Sequence, residues 1–445
     1  MFPMMLKRNK FRILALALTT FFSFWFSGTS VSQESKIWNQ SGAVNQIQSG
    51  VNIHFSTGHE KDLDMIAAAG FKYIRMDFIW QETETERGKY NWADYDELTG
   101  NLKKRGLSAI YILDYSNSLY EDSVISKDPI TGEESKDVAS PGHPESIAAY
   151  ARWAAAAAEH FRGSNILWEI WNEPNISFWK PAPDVNQYIS MAKSACKAIK
   201  AAVPGSVIIA PGTSQVPLPF LEAFLASDIS ELIDGVSVHP YRDYSKPPET
   251  AESDYNKVRE MIDKHSFNKK EKIPIISSEW GYASATKGVS TETQAAYLVR
   301  MQLANLLYGI PISIWYDWKN DGNDPANFEH NCGTVTSDLK PKPAYIAART
   351  MNEQLKGHTL IRRIEVPDKN DFMLLFGNGS GSFILSAWTA GQPHSVEPGE
   401  IVPGSIYSGA TDWKGDKTDV KSDNGRLIPV LTDKPLYISI VSRSK

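Results

Sequence analysis

The chain has 445 residues, a formal net charge of −6, 42% hydrophobic residues and 22% charged residues. This balance is that of an ordinary globular protein, and the mild acidity without a basic stripe argues against a nucleic-acid partner. The length fits one large α/β barrel with an added unit, or two or three domains.

The first 32 residues have the order of a secretory signal peptide. Basic residues between positions 7 and 12 precede an apolar run from Ile13 to Phe26, and small residues follow. The apolar run is too short for a comfortable membrane span. Ser30 and Ser32 place small residues before a cleavage point after Ser32, so we expect a secreted or periplasmic protein without a membrane anchor. An uncleaved anchor is the alternative.

From residue 50 to about 355, short apolar strands alternate with helical segments. The predicted strands are Gly50–Ser56, Phe71–Phe78, Leu107–Asp114, Asn165–Asn172, Ser206–Pro211, Gly235–His239, Ile273–Glu279 and Ile310–Tyr316. The predicted helices are Lys61–Ala69, Trp92–Arg105, Ser146–Phe161, Val185–Ala202, Phe220–Ile233, Ala251–Lys264, Thr291–Leu307 and Lys342–Leu355. This alternation predicts a (β/α)8 TIM barrel, assigned to residues 33–356. No glycine-rich dinucleotide turn follows the first strand.

Two of the predicted strand-to-helix connections are long, at 115–145 and 317–341. Both are rich in Asp, Asn, Gly, Ser and Pro. Such connections lie on the catalytic face of a barrel, so we expect them to wall a cleft there. Disordered insertions are the alternative.

After residue 357 the pattern changes to short strands separated by turns rich in Gly, Asp and Asn. The strand-like segments are Leu360–Val366, Phe372–Phe376, Ser382–Thr389, Gly404–Tyr407 and Leu436–Val441. Residues 357–445 are therefore predicted to form an all-β, β-sandwich-like domain. Because clustered exposed aromatic residues are lacking, we expect it to pack against the barrel rather than bind sugar.

The predicted fourth and seventh barrel strands each carry a glutamate at the carboxyl end. Glu173 is followed by Pro174, which has no N–H and ends the strand, and Glu279 stands within Ser-Ser-Glu-Trp-Gly. The carboxyl ends of barrel strands surround one pocket, so Glu173 and Glu279 should face each other. Two carboxyls across a pocket are what hydrolysis of a glycosidic bond requires. A structural ion pair is the alternative for either glutamate alone.

Other strand ends offer candidates for substrate binding. Asn172 can donate to a sugar hydroxyl, provided that the strand end bends or bulges so that it and Glu173 both face the pocket. Arg75 is placed to keep Glu279 ionised, or else pairs with Asp77 or Glu169. The remaining candidates are His54, His239, Tyr241, Trp315, Tyr316 and Trp318, and for each the alternative is packing at the barrel rim.

Metal and thiol chemistry are not indicated by the sequence. There is no His-Glu-x-x-His motif and no cysteine cluster, so no metal site is predicted. Asp317, Asp321 and Asp324 have ligand atoms suited to Ca²⁺, but a solvated loop is the favoured interpretation. Cys196 in a helical segment and Cys332 in a loop favour two separate thiols over a disulfide.

Taken together, these motifs resemble clan A glycoside hydrolases, and most of all glycoside hydrolase family 39 with its bacterial exopolysaccharide-cutting members. The resemblance rests on Trp171-Asn172-Glu173-Pro174-Asn175, Ser278-Glu279-Trp280-Gly281, Arg75 within Ile-Arg-Met-Asp-Phe, His239-Pro240-Tyr241, the strand 8 tryptophans, Gly50-Val-Asn-Ile-His-Phe and Lys342-Pro-Ala-Tyr345. It covers residues 51–355 and does not reach the β unit. Family 5 shares Asn-Glu-Pro, and Cys332 stands where the family pattern has phenylalanine.

The resemblance implies a monomeric, retaining β-glycosidase that needs no cofactor and acts on a polysaccharide or oligosaccharide. Glu173 would be the acid/base and Glu279 the nucleophile. Endo action on an exopolysaccharide is the first interpretation. The alternatives are an exo-acting, β-xylosidase-like enzyme, a family 5-like endoglucanase, or an inactive carbohydrate-binding barrel. The sugar and its linkage stay open.

Overall fold

The computed structural model describes residues 46–127, 132–266, 272–423 and 426–442. The predicted signal peptide and its cleavage point lie outside these ranges. No helix within them combines the length and apolar character needed to cross a bilayer.

Eight parallel strands close into a barrel, which confirms the predicted (β/α)8 fold. The first ten strands are β1 (Ser49–Asn52), β2 (Tyr73–Ile79), β3 (Ser108–Asp114), β4 (Ser123–Lys127), β5 (Glu134–Val138), β6 (Ile166–Ile170), β7 (Val207–Ser214), β8 (Gly235–His239), β9 (Ile275–Trp280) and β10 (Ser313–Trp315). The barrel order is β1-β10-β9-β8-β7-β6-β3-β2. Strands β4 and β5 form an antiparallel hairpin within the long connection 115–145.

Helices follow the barrel strands, as predicted. They are α1 (Glu60–Ala68), α2 (Trp80–Thr83), α3 (Ala93–Lys104), α4 (Pro144–His160), α5 (Val185–Ala202), α6 (Leu218–Leu225), α7 (Glu252–His265), α8 (Thr291–Leu307) and α9 (Pro343–Gln354). Asp184 starts α5 by accepting hydrogen bonds from two backbone N–H groups of its first turn. The predicted helix 220–233 is wrong in length, because Asp228 adopts a left-handed conformation that separates α6 from a short 3-10 turn, Ile229–Glu231.

Apolar side chains fill both sides of the barrel wall, as expected for buried parallel strands. Those that point into the barrel are Tyr73, Ile110, Leu167, Ile209, Ile276, Ile312 and Ile314. A larger cluster lies between the strands and the surrounding helices and includes Trp153, Trp280 and Trp315. Because the barrel interior is packed with side chains, polar residues collect at the carboxyl ends of the strands.

The chain after α9 forms an all-β unit, as predicted. Its strands are β11 (Thr359–Arg363), β12 (Asp371–Gly377), β13 (Ser382–Thr389), β14 (His394–Ser395), β15 (Ser405–Thr411), β16 (Lys417–Thr418), β17 (Lys421–Asp423), β18 (Arg426–Ile428), β19 (Val430–Leu431) and β20 (Leu436–Ser442). Six of them form one sheet in the order β11-β12-β13-β20-β15-β16. Phe372, Phe376 and Trp388 of this sheet belong to the same hydrophobic cluster as the barrel residues.

Candidate active site

The end of β6 breaks the strand alternation that the sequence would otherwise impose. Trp171 and Glu173 have φ angles of 68° and 47°, in the left-handed region that L residues seldom occupy. As a result Asn172 and Glu173, which are neighbours in the chain, both line one cavity. The backbone N–H of Glu173 donates to the carbonyl of Gly212 at 2.9 Å, which fixes this turn against β7.

Gly212 lies in a bulge of β7, where the pairing with β8 shifts register between Pro211 and Thr213. Its φ of 58° is a conformation that glycine adopts without strain. A Cβ at this position would lie 3.0 Å from Oε1 of Glu169. The bulge therefore lets β7 approach the end of β6 closely enough to hold Glu173.

A second bulge turns Glu279 into the cavity. Ser277 and Trp280 of β9 pair with Ser313 and Trp315 of β10, so β9 contains one residue more than its partner between these pairs. Trp280 consequently packs outside the barrel, while Glu279 lines the cavity. Gly281 completes this arrangement, since a Cβ there would lie 2.1 Å from the carbonyl oxygen of Tyr316.

The resulting cavity has a volume of about 360 Å³. The predicted site residues that line it are His54, Arg75, Asn172, Glu173, Tyr241, Glu279 and Tyr316. The residues that sequence reasoning did not select for the site are Asn52, Asp77, Tyr115, Phe178, Ser214, Phe328 and Glu329. The predicted His239 is fully buried and contacts the site from behind.

Glu173 and Glu279 approach each other closely. One carboxylate oxygen of each, with a ring nitrogen of His239, lie within 4.8 Å of one another. Carboxyls of retaining glycosidases are roughly 5–5.5 Å apart, whereas those of inverting enzymes are roughly 6.5–9.5 Å apart. Oxygen atoms this close agree with the shorter separation, which is that of retaining enzymes.

Arg75 is buried at the centre of the site, with an exposed fraction of 0%. Its guanidinium donates to Glu169 at 2.7 Å, Asn52 at 3.1 Å, Glu279 at 2.5 Å, Asn172 at 2.8 Å and His239 at 3.2 Å. Arg75 therefore binds both Glu279 and Glu169, which were predicted as alternative partners. Every N–H of this side chain is in use, so Arg75 fixes its neighbours in place.

Burial acts to raise the pKa of Glu279, but other contacts outweigh it and the pKa lies below the ordinary glutamate value. The lowering comes from the charges of His239, when protonated, and Arg75, and from hydrogen bonds that Tyr241 and Arg75 donate. The Tyr241 hydroxyl donates to Oε1 at 2.8 Å. Glu279 is therefore held as an anion at neutral pH.

The tautomer of His239 follows from its two neighbours. Nε2 lies 3.2 Å from Nη2 of Arg75, and a guanidinium nitrogen can only donate. Nε2 must therefore accept, which leaves the ring hydrogen on Nδ1. That hydrogen points to Oε1 of Glu173 at 2.8 Å. His239 is thus a neutral donor that orients Glu173, and Arg75 and Tyr241 stabilise the Glu279 anion in this state.

The prediction that Trp315 and Trp318 contact substrate is wrong. Their exposed fractions are 0% and 1%, and neither lines the cavity. Trp315 donates to the carbonyl of Cys332 at 3.2 Å, and Trp318 donates to Asp62 at 2.9 Å. Strand alternation is the reason: Ile312 and Ile314 point into the barrel, so Trp315 points outward. The ring that lines the cavity from this strand end is Tyr316.

The structure also shows the surroundings of the possible calcium ligands and of the two cysteines. Within the described residues, His54, Asp317 and Asp321 have ligand atoms within 4.8 Å of one another, and Asp324 is not part of this group. Cys196 and Cys332 are both buried free thiols.

The sequence of residues 38–322 matches the family model described as Cellulase (glycosyl hydrolase family 5). The chain belongs to this family.

Solved structures similar to this family 5 chain come from the same clan A. A family 39 glycoside hydrolase from the gut symbiont Bacteroides cellulosilyticus WH2 has 25% identity and a TM-score of 0.73, over 90% of this chain and 82% of the other. A GH39 β-xylosidase from Caulobacter crescentus has 17% identity and a TM-score of 0.63, over 89% and 96%. The GH39 enzyme from Xanthomonas axonopodis pv. citri has 17% identity and a TM-score of 0.62, over 89% and 94%.

The resemblance to clan A glycoside hydrolases is thus confirmed: the family model assigns family 5, and the similar structures carry the fold of family 39. The protein is a retaining glycoside hydrolase. Several of the residues that sequence reasoning missed are aromatic rings or carboxyls that line the cavity, where they can contact a bound sugar. Of these, Asp77 was detectable, since it is two residues beyond Arg75 on the same face of β2.

Proposed function

We propose that this glycoside hydrolase is an exported, retaining β-glycosidase of a polysaccharide or oligosaccharide, with Glu279 as nucleophile and Glu173 as acid/base. The observation that carries the proposal is the pair itself: one oxygen of each carboxylate lies within 4.8 Å of the other, and the two groups have different hydrogen-bond partners. Glu279 receives donors from Arg75 and Tyr241, whereas the side chain of Glu173 receives His239. Two carboxyls in unlike surroundings can take unlike roles.

In the first step Glu279 attacks the anomeric carbon while Glu173 protonates the glycosidic oxygen. The bond between the anomeric carbon and Glu279 forms, and the bond to the leaving oxygen breaks. In the second step Glu173, now an anion, takes a proton from water, and that water displaces Glu279. Two inversions give overall retention. The Nδ1–H of His239 supports Glu173 in both states, because it donates to an oxygen that keeps a lone pair throughout.

The two roles are separable with azide. Glu173→Ala removes proton transfer, typically worth about 10²–10⁴-fold in rate, yet should still accept a dinitrophenyl β-glycoside, whose leaving group departs without protonation. Azide should then trap the intermediate as a β-glycosyl azide. Glu279→Ala should not turn over natural substrate, and azide entering from the vacated face should give the α-azide.

Product analysis by NMR decides between these outcomes. Swapped azide anomers would reverse the two roles. An inverted first product from the unmodified enzyme would contradict the retaining mechanism. The inactive carbohydrate-binding barrel is rejected by turnover of any glycoside that is lost in Glu279→Ala.

We favour endo action on an exopolysaccharide. Tyr115 and Phe178 follow β3 and β6, and Tyr316 and Phe328 follow β10, which lies across the barrel from them. Rings on opposite walls suit a chain that is bound on both sides of the cleaved bond. An exo-acting enzyme, of the β-xylosidase type named for the similar Caulobacter crescentus structure, is the alternative. Sizing the products from a polysaccharide panel separates them: endo action gives mixed oligosaccharides early, whereas exo action gives monosaccharide alone.

Export is proposed from the first 32 residues. Sequencing the N-terminus of protein collected outside the cytoplasm should give a start near Gln33. Exported protein that still begins at Met1 would contradict cleavage.

A further inference from the structure

The cavity carries carboxyl groups beyond the catalytic pair, and none of its lining residues offers a free guanidinium or ammonium group to a substrate. Asp77 and Glu329 line it together with Glu173 and Glu279. Arg75 is the only arginine among the lining residues, where no lysine occurs, and each of its N–H groups is bound to protein. An anionic group on a bound sugar would therefore meet carboxylates without a free guanidinium or ammonium to pair with.

On one wall, Asp77 is backed by a second carboxyl. Asp114 is fully buried, and neither of its carboxylate oxygens has a hydrogen-bond partner among the described residues. Burial, then the neighbouring Asp77, raises the pKa of Asp114 well above its ordinary value, and burial also raises the pKa of Asp77. The charge of the Asp77 carboxylate therefore disfavours ionisation of Asp114. The pair thus presents Asp77 to the cavity as a group that can accept from a sugar hydroxyl.

A neighbouring wall, which follows β10 and is separated from β2 only by β1, has a comparable arrangement. Glu329 accepts a hydrogen bond from the hydroxyl of Tyr316 at 2.7 Å, and burial raises its pKa. Asp317 lies behind this wall with an exposed fraction of 1%. Carboxyls on these two neighbouring walls make an anion unfavourable in this part of the cavity, because each carboxyl must either repel the anion or take up a proton.

We propose that Asp77 and Glu329 bind hydroxyl groups of the substrate and select against anionic sugars, so that the units around the cleaved bond are uncharged. This inference rests on the proposed glycosidase function and narrows its substrate class to polymers without carboxylate, sulfate or phosphate at those units. Like charges placed together in a water-poor cavity discriminate strongly, and we expect the preference for an uncharged unit to be on the order of 10²-fold in kcat/KM.

The first experiment is a panel of neutral polysaccharides, such as β-glucans, xylan, mannan and galactan, and of polyuronides, such as alginate and pectate. Release of reducing ends should occur with a neutral member and with none of the polyuronides. Cleavage of a polyuronide at a comparable rate would overturn the inference and leave the glycosidase function standing. No cleavage of any member, together with no glycosyl azide, would contradict the glycosidase function itself.

The second experiment separates the effect of a substituent's charge from the effect of its size. The best polysaccharide is prepared as a hydroxyethyl derivative and as a carboxymethyl derivative of equal, low substitution. The carboxymethyl form should be cut about tenfold more slowly than the hydroxyethyl form. Asp77→Asn and Glu329→Gln should each narrow that difference several-fold, whereas Asp338→Asn, an exposed carboxyl of the same loop as Glu329, should leave it unchanged. Equal rates on both derivatives, or an unchanged difference in both cavity variants, would overturn the proposal.

Discussion

Two buried arginines of this enzyme, Arg75 and Arg300, have exposed fractions of 0% and 2% and bind glutamate in different ways. Arg300 on α8 holds both oxygens of Glu249 at 2.7 Å, and Trp388 of the β unit donates to the same carboxylate at 2.7 Å. One cation there meets one anion. Arg75 instead divides its donors between Glu169 and Glu279, and its surroundings hold more acids than bases.

The difference separates a structural network from a functional one. The Arg300 network is closed, in the sense that both oxygens of Glu249 have donors within the protein, and it joins the barrel to the β unit. The Arg75 network opens on a cavity, and beside it Asp114 and one oxygen of Glu169 lack hydrogen bonds from donor groups. Functional sites often break the rule that buried polar groups are satisfied, at a cost in stability.

The largest expected effect tests the closed network. Arg300→Met leaves the Glu249 carboxylate buried without its partner, and breaking a buried pair in this way costs about 3–5 kcal/mol. Denaturant unfolding should show that loss, while kcat/KM of the folded protein stays the same because Arg300 does not line the cavity. The control is Arg349→Met, whose partner Glu353 is 3.7 Å away on the surface of α9; it should cost at most about 1 kcal/mol. A fall in kcat/KM of folded Arg300→Met would show that the two networks are not separate.

The second prediction, of intermediate size, tests the Arg75 network through the pH dependence of kcat/KM. The Tyr241 hydroxyl helps to lower the pKa of Glu279, and a hydrogen bond to a charged group is worth about 1.5–3 kcal/mol. Tyr241→Phe should therefore raise the pKa of Glu279, and the acid limb of kcat/KM should move upward by about one pH unit, since one unit corresponds to about 1.4 kcal/mol.

The acid limb moves upward because the reaction requires Glu279 as an anion. The enzyme is active while Glu279 is deprotonated, so a higher pKa removes activity at a higher pH. The lowered pKa of Glu279 also stabilises the folded protein: this contribution is fully present above the ordinary pKa of 4.5 and is lost as the pH falls through the folded pKa. Tyr241→Phe should reduce that contribution. Tyr244→Phe, outside the cavity lining, is the control and should leave the limb in place. An unmoved limb in Tyr241→Phe would mean that the hydroxyl does not stabilise the anion.

The barrel and the two glutamates were predictable because both rest on robust patterns: apolar strands alternating with helices, and polar residues at strand ends. The bulges were not. Which of two neighbouring residues faces a pocket depends on backbone angles such as those of Trp171, Glu173 and Gly212, and these arise from contacts between strands that are distant in sequence. Asn172 was expected to face the pocket only if the end of its strand bends, and the end of β6 has this bend.

At the end of β10 the sequence predicted a sugar-contacting ring among Trp315, Tyr316 and Trp318, and strand alternation distinguishes between them. Ile312 and Ile314 fix the inward face, so the next inward residue is Tyr316. Trp315 and Trp318 need not face a pocket, because large rings pack equally well between strands and helices. The acidic character of the cavity was hidden for another reason: Asp77, Asp114 and Glu329 are far apart in the chain and come together only when the barrel closes.

The smallest expected effects separate the two neighbouring rings of β10. Trp315→Phe loses a hydrogen bond to the carbonyl of Cys332, but that carbonyl keeps Gln294 and the backbone N–H of Asp317 as donors. We expect a loss of about 1 kcal/mol in the free energy of unfolding and no change in KM, because the ring does not meet the cavity. Tyr316→Phe removes the donor to Glu329 and should raise KM several-fold with little loss of stability. Thermal denaturation and initial rates on the same preparations measure both quantities. If Trp315→Phe raised KM while Tyr316→Phe did not, the tryptophan would be the sugar contact after all, and the outward orientation of Trp315 would be wrong.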